Sequence, residues 1–391
     1  MRAWLPALLS LGGCDPALPA QRAQCPGWLA TDALRPPEPA RALAVGSNYG
    51  DGALFALDAR LGRSERLAVP VTGDAVLRTV GSALVVLNRA QGAGDNLDFF
   101  DLRGALPRRL CQVPVITEEE RRAGGASQPY GNAHDLLVVD GRRAYIARWN
   151  LPSLAVLDLG TGAIVRTVDL SPWRGRARLP NPDALALVGD EVWVTLERLD
   201  DPAHPTQPGL IVRVDPRTDT VMGALTLPHA NPLGPLWLSP DGREVRVATL
   251  GDYARADDGG VVAVERATGR ARTLLSEGAV GGNIDGFVPL PGDRALLRVS
   301  GARRAGSALE RNRVVAVDLG RAVVEGVWLS SDTWSPALPV VLGDTVLLPD
   351  PGGEDFEGAG VRLRDLQGRP LREGVLPLGA GMRPYDLRLA P

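Results

Sequence analysis

A strand–turn–strand unit that recurs seven times constrains the fold of this chain more than any other feature. In each copy an apolar strand ends in an acidic residue, and a turn and a second strand follow. The spacing between copies averages about 50 residues, a period that is typical of a β-propeller with one repeat per blade. The acidic positions are Asp58, Asp101, Asp158, Asp215, Glu265, Asp318 and Asp365.

Each unit divides into four strands, A to D, separated by short turns rich in Gly and Asp. The first unit begins at strand B, whereas the last is followed by one spare strand, MRPYDLRLA, which matches the A strands of the other units. We therefore predict an all-β, seven-bladed β-propeller over residues 41–391, with four-stranded blades. The C-terminal strand would complete the first blade, which removes two free sheet edges.

The repeat resembles the YVTN-type propeller repeats of surface-layer and periplasmic proteins. YIAR at 145–148 and DLGTG at 158–162 match this pattern in the third blade, and SPDG at 239–242 and ATG at 267–269 match it in the fifth. The resemblance spans 41–391 at the level of the repeat. It implies the same propeller fold and an envelope location, and it implies no particular activity.

The N-terminus reads as an export signal. One arginine precedes a short apolar run, which is too short to span a bilayer. LGGC at 11–14 resembles the lipobox of bacterial lipoproteins, so we predict a signal peptide over 1–13, a lipidated Cys14 and a Pro/Ala-rich tether over 14–40. The predicted location is the bacterial cell envelope, with the Cys14 lipid as the only membrane contact. An ordinary signal peptide with an incidental cysteine remains the alternative.

Two cysteines remain if Cys14 carries lipid. Cys25 and Cys111 would lie in an oxidising compartment, where a disulfide between them is expected. Two unrelated free thiols are the alternative. If the bond forms, it ties the tether to the outermost strand of blade 2.

Composition and motifs exclude several functions. The net charge of −3 gives no basic footprint for nucleic acid, so none is expected as a partner. All 43 basic residues are arginine, which excludes a Schiff-base lysine and a P-loop lysine. The chain also lacks a Gly-x-Ser-x-Gly elbow, a His-Glu-x-x-His motif and a paired-cysteine zinc motif.

Long loops and aromatic residues are predicted on one face of the ring. The AB and CD turns are short, whereas the BC loops of blades 4 to 7 and two DA connections are long. Binding sites usually lie on such loops. The aromatic residues assigned to this face are Tyr49, Tyr130, Trp149, Trp173, Tyr253, Trp334, Phe356 and Tyr385.

Polar residues at the starts of the innermost strands should ring the mouth of the central channel. They could orient a small ligand, and Asp135, Asp183 and Asp285 could hold a divalent cation such as calcium. His134 beside Asp135 is the candidate general base. Asn and Asp in such places also stabilise turns, which is the alternative. The predicted ligand-binding residues are Asn132, Asp135, Trp149, Asn181, Asp183, Tyr253, Asn283, Asp285, Tyr385 and Asp386.

Two hypotheses for function follow. The first is a binding or scaffold module at the envelope, whose loop-rich face engages a protein or a glycan. The second is a metal-dependent, lactonase-like hydrolase with its site at the channel mouth, which rests on analogy of fold.

Overall fold

The computed structural model describes residues 41–390 apart from 61, 81–82, 90–94, 103–106, 125–129, 203 and 302–310. The predicted signal peptide and tether, with Cys14 and Cys25, lie outside the described residues. Two short α-helices, α1 (Glu118–Gly124) and α2 (Glu277–Val280), lie between blades. In the described part of the chain, no helix is long and apolar enough to cross a membrane.

The chain forms seven small antiparallel sheets in a ring, which confirms the predicted seven-bladed β-propeller. From the channel outward the blades contain β27-β1-β2-β3, β4-β5-β6-β7, β8-β9-β10-β11, β12-β13-β14-β15, β16-β17-β18-β19, β20-β21-β22-β23 and β24-β25-β26. The strands are β1 (Arg41–Ser47), β2 (Gly52–Asp58), β3 (Arg63–Leu67), β4 (Val76–Val80), β5 (Ala83–Arg89), β6 (Asp95–Asp101), β7 (Arg108–Pro114), β8 (Ala133–Val138), β9 (Arg143–Arg148), β10 (Ser153–Asp158), β11 (Ala163–Asp169), β12 (Pro182–Val188), β13 (Glu191–Leu196), β14 (Leu210–Asp215), β15 (Thr220–Thr226), β16 (Pro232–Leu238), β17 (Glu244–Thr249), β18 (Gly260–Glu265), β19 (Ala271–Ser276), β20 (Asn283–Pro289), β21 (Arg294–Ser300), β22 (Asn312–Asp318), β23 (Val323–Ser331), β24 (Val340–Leu342), β25 (Thr345–Asp350), β26 (Gly360–Asp365) and β27 (Arg383–Leu389).

The last strand closes the ring, as the spare C-terminal strand predicts. β27 pairs antiparallel with β1 and becomes the innermost strand of blade 1. It also reaches blade 2, because the Asp386 carboxylate accepts a 2.7 Å hydrogen bond from the Leu77 N–H. The first and last strands of the propeller are therefore joined within one sheet.

The hydrophobic core is divided among the contacts between blades. The described residues form seven apolar clusters, and each cluster is shared by two neighbouring blades. Strand residues that are buried on both faces of a blade supply them, such as Val85 and Val86 of β5. Every blade thus depends on both of its neighbours for burial.

The recurring acidic residue has a structural explanation. It is the last residue of the third strand in every blade. In blades 1, 3, 4, 6 and 7 its carboxylate accepts hydrogen bonds from backbone N–H groups of the CD turn that follows, and in blade 5 Glu265 accepts from the Thr268 hydroxyl instead. In blade 3, for example, Asp158 accepts from Gly160 and Thr161 at 2.9 and 3.0 Å. These Asx turns start the return strand, which is why the residue recurs with the blade.

Blade 7 departs from the predicted four strands. It contains β24, β25 and β26, and the segment that would form the outer strand makes only isolated bridges, Val361↔Leu376 and Arg364↔Pro370. Pro370 and Pro377 bracket this segment. Because proline cannot donate a ladder hydrogen bond, a regular fourth strand does not form there.

Cys111 lies on β7, the outermost strand of blade 2, and forms a disulfide bond. The other two cysteines of the chain, Cys14 and Cys25, both lie outside the described residues. The Cys25–Cys111 pairing therefore stays a prediction. In the chain-entropy model, closing a loop of about 86 residues would stabilise the fold by about 4 kcal/mol.

Candidate functional site

The long connections lie on one face, as predicted. The BC connections 250–259 and 351–359 and the DA connection 170–181 lie there, whereas the opposite face carries turns such as 159–162 and 189–190. We call the first side the loop-rich face. The innermost strands begin on it, and we call this end of the central channel the mouth.

A histidine–carboxylate pair joins blades 3 and 4 at the mouth. The Nδ1 atom of His134 on β8 lies 2.8 Å from Oδ1 of Asp183 on β12. The other oxygen of Asp183 accepts a 3.0 Å hydrogen bond from the Gly234 N–H in blade 5. The Trp149 ring stacks on the imidazole at 5.6 Å between centroids. This carboxylate and this indole fix the ring orientation and leave Nε2 without a hydrogen-bond partner among the described residues.

A buried carboxyl group lies beside this pair. Glu197 directly follows β13 and is only 3% exposed. Burial raises the pKa of Glu197 well above its usual range, and the neighbouring Asp183 carboxylate raises it further. The Trp149 indole N–H offsets part of this rise, although its geometry falls short of a full hydrogen bond. Both effects favour the protonated form of the Glu197 carboxyl group.

Blade 5 completes this side of the mouth. The Tyr253 ring is half-buried in the BC loop, and burial raises the pKa of its hydroxyl, with Glu197 among the charges that raise it further. The Asn231 side chain is fully buried beside the Tyr253 hydroxyl. Neither its amide nitrogen nor its amide oxygen forms a hydrogen bond of normal geometry with the described residues. A buried amide without partners is costly, and a bound polar ligand would satisfy it.

The sequence prediction for the histidine partner is wrong. The Asp135 carboxylate does not pair with His134; it binds Arg78 and accepts from the Leu185 N–H in the next blade. A β-bulge interrupts the pairing of β8 with β9 at His134, and both oxygens of Asp135 are engaged by other partners. The partner of His134 is instead Asp183, which lies 49 residues away in the chain.

The three aspartates predicted as calcium ligands do not share a site. Asp135 binds Arg78, Asp183 binds His134, and Asp285 binds Arg298 at 2.6 Å. They lie on the inner strands of blades 3, 4 and 6, and each carboxylate has a different side-chain partner. In the described residues, one group could hold a divalent ion: His134, Asp183 and Glu197, whose ligand atoms lie within 4.8 Å of one another.

The predicted asparagines have structural roles. Asn132 and Asn181 adopt a left-handed backbone conformation, with φ of 51° in both, at the entry to an inner strand. The Asn181 amide donates to the Trp149 carbonyl, and the Asn283 amide donates to the Tyr253 carbonyl. They hold the BC loops of preceding blades in place, as the turn-stabilising alternative predicts. Asp386 likewise ties blade 1 to blade 2.

Arginine and aromatic side chains form the opposite side of the mouth. The Arg383 guanidinium at the start of β27 lies 4.8 Å from the centroid of the Tyr49 ring, 5.3 Å from that of Trp334 and 5.7 Å from that of Tyr385. It donates to the Tyr49 hydroxyl and to the Ser335 carbonyl. The Tyr385 hydroxyl donates to the Asp74 carboxylate, so this ring is held in place. We call this group the Arg383 cage.

Of the predicted ligand-binding residues, the structure brings Trp149, Asp183 and Tyr253 together and places Tyr385 in the Arg383 cage. Sequence reasoning missed Glu197 and Arg383. An alignment of blades would have drawn attention to Glu197, because its N–H bonds to Asn181 as that of Leu250 bonds to Asn231, and Leu250 is apolar. A carboxyl group at that position is therefore unusual within this chain.

No family model and no curated protein matches this chain. The solved structures that it resembles include a periplasmic gluconolactonase from Pseudomonas aeruginosa, at 17% identity and a TM-score of 0.61, covering 90% of this chain and 99% of that one. A putative 6-phosphogluconolactonase from Bacteroides fragilis matches at 12% and 0.57, covering 90% and 99%. Hydrazine synthase from Kuenenia stuttgartiensis matches at 16% and 0.54, covering 80% and 89%. At these identities the likeness shows the fold alone, that of a seven-bladed β-propeller.

Proposed function

We propose that this protein opens lactones by general acid–base hydrolysis at the mouth of its channel. The observation that carries the proposal is the buried Glu197 carboxyl, whose pKa is raised, beside the His134–Asp183 pair. A buried carboxyl group with a raised pKa, next to an imidazole that a carboxylate holds in place, suits general acid–base catalysis.

In the proposed step, His134 is the base and Glu197 is the acid. Water attacks the lactone carbonyl and its proton passes to Nε2 of His134, while the bond between the carbonyl carbon and the ring oxygen breaks. Glu197 gives its proton to that oxygen, and the product is a hydroxy acid. The imidazolium then returns a proton to the Glu197 carboxylate, which lies close to it.

Asp183 is a positioning residue in this scheme. Its hydrogen bond with Nδ1 keeps Nε2 directed away from the carboxylate, and its negative charge stabilises the imidazolium that forms. The proposal assigns His134, Asp183 and Glu197 to proton transfer rather than to a metal, because Asp183 already engages both His134 and the Gly234 N–H.

The choice of lactones as the ester class comes from the fold neighbours. Two of them carry the names gluconolactonase and putative 6-phosphogluconolactonase, and their folds cover 90% of this chain. These names describe those proteins, and the acid–base group of this chain supports a similar chemistry here. We further propose that the activity lies at the cell envelope, tethered through Cys14 as the LGGC segment predicts.

Binding of a protein or glycan partner is the second candidate, and the long BC connections favour it. The aromatic side chains of the loop-rich face favour a small ligand instead. Tyr49 is 54% exposed, but the other aromatic residues predicted there are half-buried around the mouth. A broad docking surface would expose more of them.

The location of the site can be tested with Trp149→Ala and Tyr253→Ala. We expect each substitution to weaken calorimetric binding of gluconate, the product of a simple sugar lactone, by about 30-fold, as for a central aromatic contact. The matched controls, Arg142→Ala and Arg243→Ala, alter exposed turns on the opposite face and should leave binding unchanged. If the Arg142 and Arg243 variants lost binding and the Trp149 and Tyr253 variants kept it, the site would lie on the face opposite the loop-rich face. A protein that binds an oligosaccharide but not gluconate would favour the glycan-binding module.

A further inference from the structure

The Arg383 cage holds a buried positive charge without a carboxylate partner. The side chain is 4% exposed, and none of the described carboxylates forms an ion pair with it. Its Nε atom is buried without a hydrogen bond. Burial lowers the pKa of this guanidinium, and the Tyr49 and Tyr385 hydroxyls offset only part of the effect.

Other arginines on the inner strands and at the mouth are compensated differently. Arg78 pairs with Asp135, Arg298 with Asp285 and Arg388 with Asp386. Each of these three arginines has a carboxylate partner, whereas Arg383 contacts aromatic rings instead. Cation–π contacts repay part of the cost of burying a charge, but a buried cation is stabilised fully only by an anion.

A second cation faces the same space. The charge of Arg298 is among the influences that lower the pKa of Arg383, so the two guanidinium groups are electrostatic neighbours. Arg298 has one carboxylate partner, Asp285, and also donates to the Asp285 carbonyl. Only Arg298 of these two arginines has a carboxylate partner, so a net positive charge remains between blades 6 and 1.

This positive region faces the acid–base group across the mouth. Tyr253 belongs to blade 5, which follows blades 3 and 4 with the His134–Glu197 group and precedes blade 6 with Asp285 and Arg298. A substrate that reaches from one side to the other would place its ester at His134 and its far end near Arg383.

We propose that Arg383, assisted by Arg298, binds a second anionic group of the substrate, a carboxylate or phosphate remote from the lactone ester. This inference rests on the proposed function and specifies the substrate class. The planar guanidinium suits both anions because its paired N–H groups match their oxygen atoms. Tyr49 and Trp334 hold the guanidinium in place and exclude water from it.

Anion binding can be measured without any hydrolysis. We expect inorganic phosphate or succinate to raise the Tm of the wild-type protein, because a ligand that binds the folded state stabilises it. This rise in Tm should be absent in Arg383→Met. The Tm of each protein with anion is compared with its own Tm without anion, so the test remains valid if the variant has an altered stability. Stabilisation by phosphate alone identifies a phosphate ester as the anion, and stabilisation by succinate alone identifies a carboxylate.

The control is Arg364→Met. Arg364 likewise has no ion pair among the described residues, but its guanidinium donates a hydrogen bond to the Gly368 carbonyl on the face opposite the loop-rich face. The anion-dependent rise should persist in it. Equal rises in wild type and Arg383→Met, or no rise in wild type, would overturn the inference.

Kinetics separate this inference from the proposed function. If lactones are hydrolysed, a 6-phosphorylated sugar lactone should have a KM at least about tenfold lower than its unphosphorylated counterpart, and Arg383→Met should abolish this preference. Hydrolysis without any preference overturns the anion subsite and leaves lactone hydrolysis intact. Anion binding that depends on Arg383, in a protein that opens no lactone, supports the subsite and overturns the hydrolase.

Discussion

Deleting residues 382–391 should lower the free energy of unfolding by more than about 4 kcal/mol, or prevent folding altogether. The deletion removes β27, which pairs with β1 along Ala42–Ser47. It also removes Leu387, which is fully buried in the cluster between blades 7 and 1, and the Asp386 link to blade 2. The edge of β1 would be exposed and two blade contacts would open.

Thermal and urea unfolding of the shortened chain measure this loss. The matched control ends after Leu389, since β27 ends there and residues 390–391 lie beyond it. Its stability should equal that of the full chain. A chain without 382–391 that melts within about 2 °C of the full-length protein would show that the closing strand contributes little, contrary to the expected loss.

Replacing Glu197 by Gln should lower kcat for lactone opening by about 10²- to 10⁴-fold, because the amide cannot donate the proton that the ring oxygen needs. Wild-type activity should fall at high pH as Glu197 loses its proton. Since the pKa of Glu197 is raised, the high-pH limb should lie well above the ordinary range of a carboxyl group. The variant should lose this limb.

Glu191→Gln is the matched control. Glu191 begins β13 on the face opposite the loop-rich face, where its carboxylate accepts a hydrogen bond from the Trp193 indole. Glu197 follows the other end of the same strand, at the mouth. This control should retain wild-type kcat. A Glu197→Gln protein with kcat within threefold of wild type, by the same assay, would remove Glu197 from the proposed chemistry.

The architecture could be predicted because the residues that form the CD turn are close together in the sequence and recur with each blade. The acid at the end of the third strand caps a local CD turn, as Asp158 does through Gly160 and Thr161. Such interactions span a few residues, so they recur with the repeat and can be counted. The closing strand was predictable for the same reason, since it matches the other inner strands.

The site could be predicted only in part, because its contacts cross between blades. The pattern placed His134 and Asp183 at the mouth, but it joined His134 to the adjacent Asp135 rather than to Asp183 of the next blade. Glu197 is part of a long polar loop in the sequence, and only the packing of blades 3 and 4 buries it. Likewise, nothing local distinguishes Arg383 from the other arginines.

The most direct test of the account is acid release from sugar lactones, followed in a pH-stat with purified protein in the presence of a chelator. The account predicts a rate above spontaneous hydrolysis that is proportional to protein concentration, is unaffected by the chelator and is lost in the His134→Gln/Glu197→Gln double variant. Opening of every lactone at the spontaneous rate would contradict lactone hydrolysis. Activity that the chelator abolishes and a divalent metal restores would contradict the acid–base assignment and make His134, Asp183 and Glu197 metal ligands instead.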